Sequence, residues 1–185
     1  MQEGKIVFKG KTKKDKNIII RYIKKEDLKK MWEYINTLSK ERTFILFQGE
    51  EISLEDEEKY LNDQLGKAKQ GTLVPLLAFC GKELVGISQL GMNIKTGKHI
   101  GIFGLSVLKK YRGEGIGKTL MEIVLKEAKE KLKGLRIVIL SVFQKNCIAI
   151  NLYKKMGFIE YGKLPEGVYK DGKYEDEILM YKKIQ

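Results

Sequence analysis

The sequence is poor in the residues that build metal centres and disulfide frameworks. Two cysteines, Cys80 and Cys147, and one histidine, His99, are all that its 185 residues supply. Their separation has no metal-ligand spacing, so zinc and disulfide readings give way to buried or half-buried free thiols. Long apolar runs are missing as well. Ile18-Ile19-Ile20 and Ile137-Val138-Ile139-Leu140 fall far short of the ~20 residues a membrane-crossing helix needs. The opening stretch MQEGKIVFKG mixes charged and apolar residues without the continuous apolar segment of a secretory signal, which points to the cytoplasm and away from a membrane. Arginine is scarce. The net charge of +12 comes almost wholly from lysine, because the arginines are Arg21, Arg42, Arg112 and Arg136 alone. A nucleic-acid reader draws on more arginine for planar, bidentate contacts. A lysine-rich solvated surface with one anion-binding patch is the favoured reading, with nucleic-acid binding as its competitor.

What is present is globular. With 43% hydrophobic and 32% charged residues, and no Pro/Gly/Ser-rich linker, the chain reads as one domain over residues 1–185. Gly4–Phe8 and Asn17–Ile23 are β-like and form an opening hairpin around the charged turn Lys11–Lys16, so that residues 1–16 are an N-terminal extension or hairpin. Leu28, Met31, Trp32, Ile35 and Leu38 recur at helical spacing between Glu26 and Ser39. Ser53, with Asp56 three residues on, announces a second helix that runs to about Gly71. Val74–Cys80, Leu84–Met92 and Ile100–Leu108 read as a three-strand meander. Ile116, Leu120, Val124, Ala128 and Leu132 form the apolar stripe of a long helix capped by Gly134. Leu135–Phe143 reads as a strand buried on both faces. A short helix from about Cys147 to Met156 closes at Gly157, and two strands, Phe158 to about Lys163 and Glu175–Lys182, follow. Strand, helix and strand around RGEGIG predict a parallel crossover, in a mixed sheet with helices on both faces.

The octapeptide Arg112-Gly113-Glu114-Gly115-Ile116-Gly117-Lys118-Thr119 ends like a nucleotide-binding P-loop but fails at its first position, where Arg112 replaces the required glycine. The following strand, Leu135–Phe143, also has no aspartate to hold magnesium. The dinucleotide fingerprint fails too, at Lys118 or at Leu120 depending on the glycine from which it is counted. What remains is Arg112-x-x-Gly115-x-Gly117 between a strand and a long helix. Its glycines let backbone N–H groups curl around a phosphate, and the helix start adds positive potential. Lys109, Lys110, Arg112 and Lys118 concentrate charge suited to a pyrophosphate.

Downstream stand Asn146, Ala149, Leu152-Tyr153 and Gly157-Phe158. With these two blocks in order, the sequence resembles the Gcn5-related N-acetyltransferase (GNAT) superfamily, closely from about Val74 to Lys182 and loosely before. The resemblance implies an α/β (α+β) single-domain fold: a mixed, mostly antiparallel sheet whose central parallel strand pair splays to hold acetyl-CoA. It places the cofactor-binding and catalytic core in residues 74–182, without a metal. By that resemblance, backbone groups of Leu105, Ser106 and Val107 pair with pantetheine. Those of Arg112, Gly113, Glu114, Gly115, Ile116, Gly117, Lys118 and Thr119 hold the pyrophosphate, and Asn146 and Tyr153 also face the cofactor. A backbone N–H at Val107 is the implied oxyanion donor and Tyr153 the implied general acid for the departing thiolate. Capping the short helix is an equal alternative for Asn146, and core packing with a bonded hydroxyl is one for Tyr153. The general base stays open, because Ile100–Val107 contains no carboxylate. A water chain, His99 or an acidic residue of Glu50–Glu58 could serve. That acidic run favours a cationic acceptor: a small amine such as a polyamine or aminosugar, or else a protein or peptide N-terminus. Tyr22, Trp32 and Tyr169 are candidate pocket walls, and the connection Leu164–Tyr174, which contains the turn-forming Asp171-Gly172, is a candidate cover. Homodimers are common in the superfamily, but no patch in this sequence demands one.

Overall fold

The computed structural model describes residues 1–184. Its elements follow the periodicities of the chain: β1 (Ile6–Lys11), β2 (Asn17–Tyr22), α1 (Leu28–Lys40), α2 (Leu54–Lys69), β3 (Leu73–Cys80), β4 (Glu83–Met92), β5 (Ile100–Val107), α3 (Ile116–Lys131), β6 (Ile137–Phe143), α4 (Cys147–Lys155), β7 (Ile159–Lys170) and β8 (Lys173–Lys183). Strand order is β1-β2-β3-β4-β5-β6-β8-β7. The sheet is mostly antiparallel, with β5 and β6 parallel. The chain divides into two compact units, Met1–Gly91 with Gly104–Lys133, and Met92–Phe103 with Gly134 onward. Strand β5 contributes to both.

In the first unit β3 is the central buried strand, and it is enclosed on both faces because nearly every residue of LVPLLAFC is apolar. Leu77 and Phe79 join Met31, Tyr34 and Leu38 of α1 and Leu61 of α2 in one core. On the other face Tyr22, opposite Leu76, donates its hydroxyl to Glu127 of α3 at 2.7 Å. Helices therefore cover both faces of this unit. Gly86 lets α3 approach, since a Cβ there would stand 2.9 Å from a Leu120 methyl and 3.2 Å from the Ser106 carbonyl oxygen. Arg21 fixes the entry to α1 through two hydrogen bonds to the buried Asp27, at 2.6 and 2.7 Å. Ser53 caps α2 by accepting from the Asp56 N–H at 3.1 Å, as the capping pattern predicts. Helix α3 ends at Lys131 with Leu132 as its C-cap, so the left-handed Gly134, expected as the cap, lies two residues beyond it.

In the second unit the parallel ladder pairs Ile100–Ile102 with Ile137–Ile139, and β6 then runs antiparallel to β8 from Ile137↔Lys183 to Phe143↔Glu177. Two expectations need correction here. Strand β6 is not buried throughout: Val138, Leu140, Val142 and Phe143 are inside, while Ser141 is exposed, the alternation of a strand with one wetter face. The segment Leu164–Tyr174 is not an open connection. Strands β7 and β8 continue through it to the two-residue turn Asp171-Gly172, both at positive φ, the backbone a tight hairpin requires. The irregularity sits at a register shift between Leu164 and Val168, around Pro165, which has no N–H to give the ladder.

Candidate active site

The loop that opens α3 takes its shape from two glycines. Gly113 and Gly115 have φ of +77° and +89°, values that cost most side chains about 1–2 kcal/mol. Gly115 is the N-cap of α3 and offers no side-chain cap, whereas Ser53 and Asn146 cap α2 and α4. The first-turn N–H groups of α3, at Ile116, Gly117 and Lys118, thus have no side-chain cap from the preceding residue and sit at the positive end of a 16-residue helix.

Between those glycines Glu114 turns inward and is 1% exposed. Its carboxylate accepts from Thr12 Oγ1 at 3.0 Å and Lys16 Nζ at 2.9 Å, and the Lys16 ammonium holds it below the usual carboxylate range. Its carbonyl accepts from the Lys13 N–H at 2.9 Å. Lys16 also lies 4.7 Å from the centre of the Tyr111 ring. The β1–β2 turn is therefore locked onto the loop, and it carries two further exposed lysines there: Lys13, whose stem passes over Gly115, and Lys14, 3.6 Å from Glu114. The charged turn was visible in sequence, but its partner lies about a hundred residues away and no local pattern connects them.

Arg112 works on the protein itself. Its Nε donates to the Val107 carbonyl at 2.8 Å and its Nη2 to Glu41 at 2.7 Å, while the other Glu41 oxygen accepts from the Lys109 N–H at 2.8 Å. Glu41, a surface residue by sequence, so joins α1 to the end of β5. Of the remaining cations, Lys110 pairs with Glu83 at 2.5 Å and Lys118 with Glu122 at 3.5 Å. On β5 itself, Ser106 shares a 2.9 Å hydrogen bond with the buried Tyr34 hydroxyl, Gln89 of β4 lies over Gly104, and Leu105 and Val107 are half-buried.

In the second unit Tyr153 of α4 is 7% exposed. Its ring meets Phe103 edge-on at 6.0 Å and Phe158 at 6.1 Å. Burial pushes its phenol up to about 12 and is the sole cause of the shift, so neither a charge nor a hydrogen bond from the described residues acts on the hydroxyl. Asn146 caps α4, its Oδ1 accepting from the Ala149 N–H at 3.2 Å. The His99 carbonyl accepts from the N–H groups of Arg136 and Ile137.

The acidic run resolves into unlike members. Glu55 and Asp56 are exposed and pair with Lys59. Glu50 accepts from the Gln48 N–H. Glu57 alone is buried, 5% exposed on the inner face of α2, and burial pushes its carboxyl up to about 7. The three aromatic candidates separate: Tyr22 bonds Glu127, the Trp32 indole donates to the Ile52 carbonyl at 2.8 Å, and Tyr169 is exposed against Tyr174.

Two left-handed glycines stand before an uncapped helix start, with lysines around them, in an α/β protein. Residues 31–158 match the description "Acetyltransferase (GNAT) family", and the chain belongs to that family of acetyltransferases. An N-alpha-acetyltransferase of Sulfurisphaera tokodaii is 39% identical over 94 residues, 51% of this chain and 52% of that protein, so the chain spans about half that relative's length. A spermidine N(1)-acetyltransferase of Vibrio cholerae is 25% identical over 166 residues, 89% of this chain and 91% of that one. The crystal structure of a GNAT-family acetyltransferase from Streptococcus pneumoniae matches with a TM-score of 0.82 at 29% identity, covering 91% of this chain and 99% of that chain.

Proposed function

We propose that this chain transfers the acetyl group of acetyl-CoA directly to a primary amine, as one cytoplasmic N-acetyltransferase domain over residues 1–185 with its cofactor-binding core in 74–182. The observation that carries this reading is the helix start at Gly115, uncapped by any side chain and preceded by left-handed glycines, in a chain of this family. Of the backbone N–H groups expected from Arg112 to Thr119, those of Arg112 and Thr119 already donate to the Lys109 and Gly115 carbonyls, so those from Gly113 to Lys118 hold the pyrophosphate, and the Glu114 side chain keeps their loop in shape from within. Pantetheine pairs with the backbone of Leu105–Val107, and the Val107 N–H polarises the thioester carbonyl. Asn146, its Oδ1 used in capping, retains its Nδ2 donors for the cofactor.

Acetyl-CoA supplies an activated acyl group; the rest falls to the protein. The amine must arrive deprotonated, and the sulfur must leave with its charge compensated. Tyr153 provides that compensation. A phenol raised to about 12 keeps its proton at neutral pH and acts only as a donor.

For the acceptor we favour a small cationic amine such as a polyamine or aminosugar. The likeness to a spermidine acetyltransferase over 89% of the chain supports this choice, as does a lone buried carboxyl on α2. A protein or peptide N-terminus is the second reading, favoured by the higher identity to an N-alpha-acetyltransferase over half the chain. Calorimetry with acetyl-CoA, followed by thiol release against spermidine, an aminoglycoside and short peptides, separates them. Absence of acetyl-CoA binding would refute the proposal and bring salt-sensitive nucleic-acid binding forward.

A further inference from the structure

Helix α2 turns Glu57, Leu61, Gln64 and Ala68 inward. Leu61 and Ala68 suit an interior; a carboxylate does not, because an ion removed from water needs a partner. Among the described residues Glu57 has none. Burial pushes its carboxyl up, and of the cations on the elements packed against α2, Lys30 of α1 lies over the Phe79 ring and none pairs with Glu57 among the described residues. From α1 come Met31, Tyr34 and Leu38, and from β3 Leu77 and Phe79. In the 3-10 turn before α1, Asp27 is taken by Arg21 and Lys24 sits with Glu26. On α2 itself the neighbours are Tyr60 and Asp63, and Lys59 belongs to Glu55. The carboxyl is nevertheless not sealed: its oxygens are not among the fully enclosed, unpartnered polar atoms, unlike the Gln64 Oε1 further along the same face.

Glu57 also lies beside a line of polar groups that leads to β5. Tyr60, one helical turn on, donates to Gln89 Oε1 at 2.9 Å. The Gln89 side chain covers Gly104, with Cγ 3.5 Å from where a Cβ would stand. Two residues further along the same face Ser106 is held by Tyr34. Strand β5 brings no carboxylate of its own.

We infer that Glu57 is the general base of the reaction proposed above, taking a proton from the acceptor's ammonium at the edge of β5 marked by Tyr60 and Gln89. The step balances. Glu57 accepts one proton from the ammonium, and the freed lone pair forms the N–C bond to the acetyl carbon. The C–S bond then breaks, and the second proton shed by nitrogen ends on sulfur. Glu57 releases its own proton to water, so each turnover yields one amide, one thiol and one proton. A carboxyl poised near 7 suits the task, since a base is most effective when its pKa is close to the working pH.

The inference rests on the acetyltransferase reading, and its test separates the two. Acetyl-CoA affinity and the pH dependence of kcat/KM are measured for the wild type, Glu57→Gln and Glu57→Asp, with spermidine, a short peptide and a weakly basic amine. Glu57→Gln should bind acetyl-CoA within twofold of the wild type and lose about 10²-fold in kcat/KM at pH 7. It should lose the wild-type limb near pH 7 and recover most of its rate with the weakly basic amine, which needs no base. Glu57→Asp should keep the limb at a reduced rate. A Glu57→Gln enzyme with unchanged rate and profile would overturn the assignment and leave the acetyltransferase intact. A wild type that releases no thiol with any amine would overturn both.

Discussion

Replacing Tyr153 by phenylalanine removes one oxygen and leaves the ring. That ring is 7% exposed and held edge-on by Phe103 and at a tilt by Phe158, contacts a phenylalanine repeats. No hydrogen bond of the described residues is lost, because burial alone accounts for the state of the hydroxyl, so stability should move by less than about 1 kcal/mol. Truncation to alanine would instead open an aromatic-sized cavity at a cost of about 3–5 kcal/mol and confuse folding with chemistry. The effect on turnover follows from acidity. A phenol near 12 facing a thiolate whose conjugate acid titrates near ~8.5 gives up its proton uphill by about 3.5 pK units, roughly 5 kcal/mol. Under the proposed mechanism full transfer is unfavourable, so the hydroxyl would act chiefly by donating a hydrogen bond to sulfur as charge develops. Its removal should therefore fall at the lower end for such catalysis, about 10²-fold in kcat or roughly 2.7 kcal/mol. Thiol release under saturating amine, with acetyl-CoA affinity measured in parallel, is the assay. Affinity should hold within twofold, and no falling limb in kcat should appear below about pH 11. A kcat within twofold of the wild type, in a protein of unchanged stability, would remove Tyr153 from the mechanism.

Gly115→Asp should abolish acetyl-CoA binding in calorimetry, since it places a carboxylate at the helix start and forces a side chain to φ of +89°; retained binding would refute the cradle. Glu57 gives a pH dependence of stability of definite sign. Its folded pKa of about 7 lies above an unfolded value near ~4.3, so its contribution is fully present below about pH 4 and is lost as pH rises through 7, by up to about 4 kcal/mol. Urea unfolding at pH 5 and pH 8 should show that loss in the wild type and not in Glu57→Gln, and equal differences in both would place the titration elsewhere. Asp27→Ala strands the Arg21 guanidinium, which is only 13% exposed. It should cost about 3–5 kcal/mol by denaturant titration, and a loss below about 1 kcal/mol would mean that the pair is solvated.

Legibility followed the range of the interactions. Ser53 with Asp56, the stripe Ile116–Leu132 and the Asp171-Gly172 turn depend on neighbours within a few residues, and each emerged in place. The extent of β7 and β8 did not, because Leu164–Tyr174 carries little apolar patterning: most of its residues are exposed, and only pairing across the hairpin makes it strand. The same limit divides the candidate site. The glycines of the loop were readable because a positive φ is a local demand. The residues that hold the loop were not: Thr12 and Lys16 reach Glu114 across about a hundred residues, and Glu41 reaches Lys109 and Arg112 across about seventy. Each looks like ordinary surface charge until the chain closes. Glu57 shows the sharper form of the problem. Composition treats Glu50–Glu58 as one acidic segment, and helix-dipole complementarity explains Glu55 and Asp56 well enough. At 100° per residue, however, only Glu57 of the four consecutive acids falls in line with Leu61, Gln64 and Ala68. Helical phase thus distinguishes the one carboxylate that folding strips of water from three that it leaves solvated. Where an acidic first turn opens a helix with one apolar face, the acid in phase with that face is therefore the one to expect inside, with its pKa raised by burial.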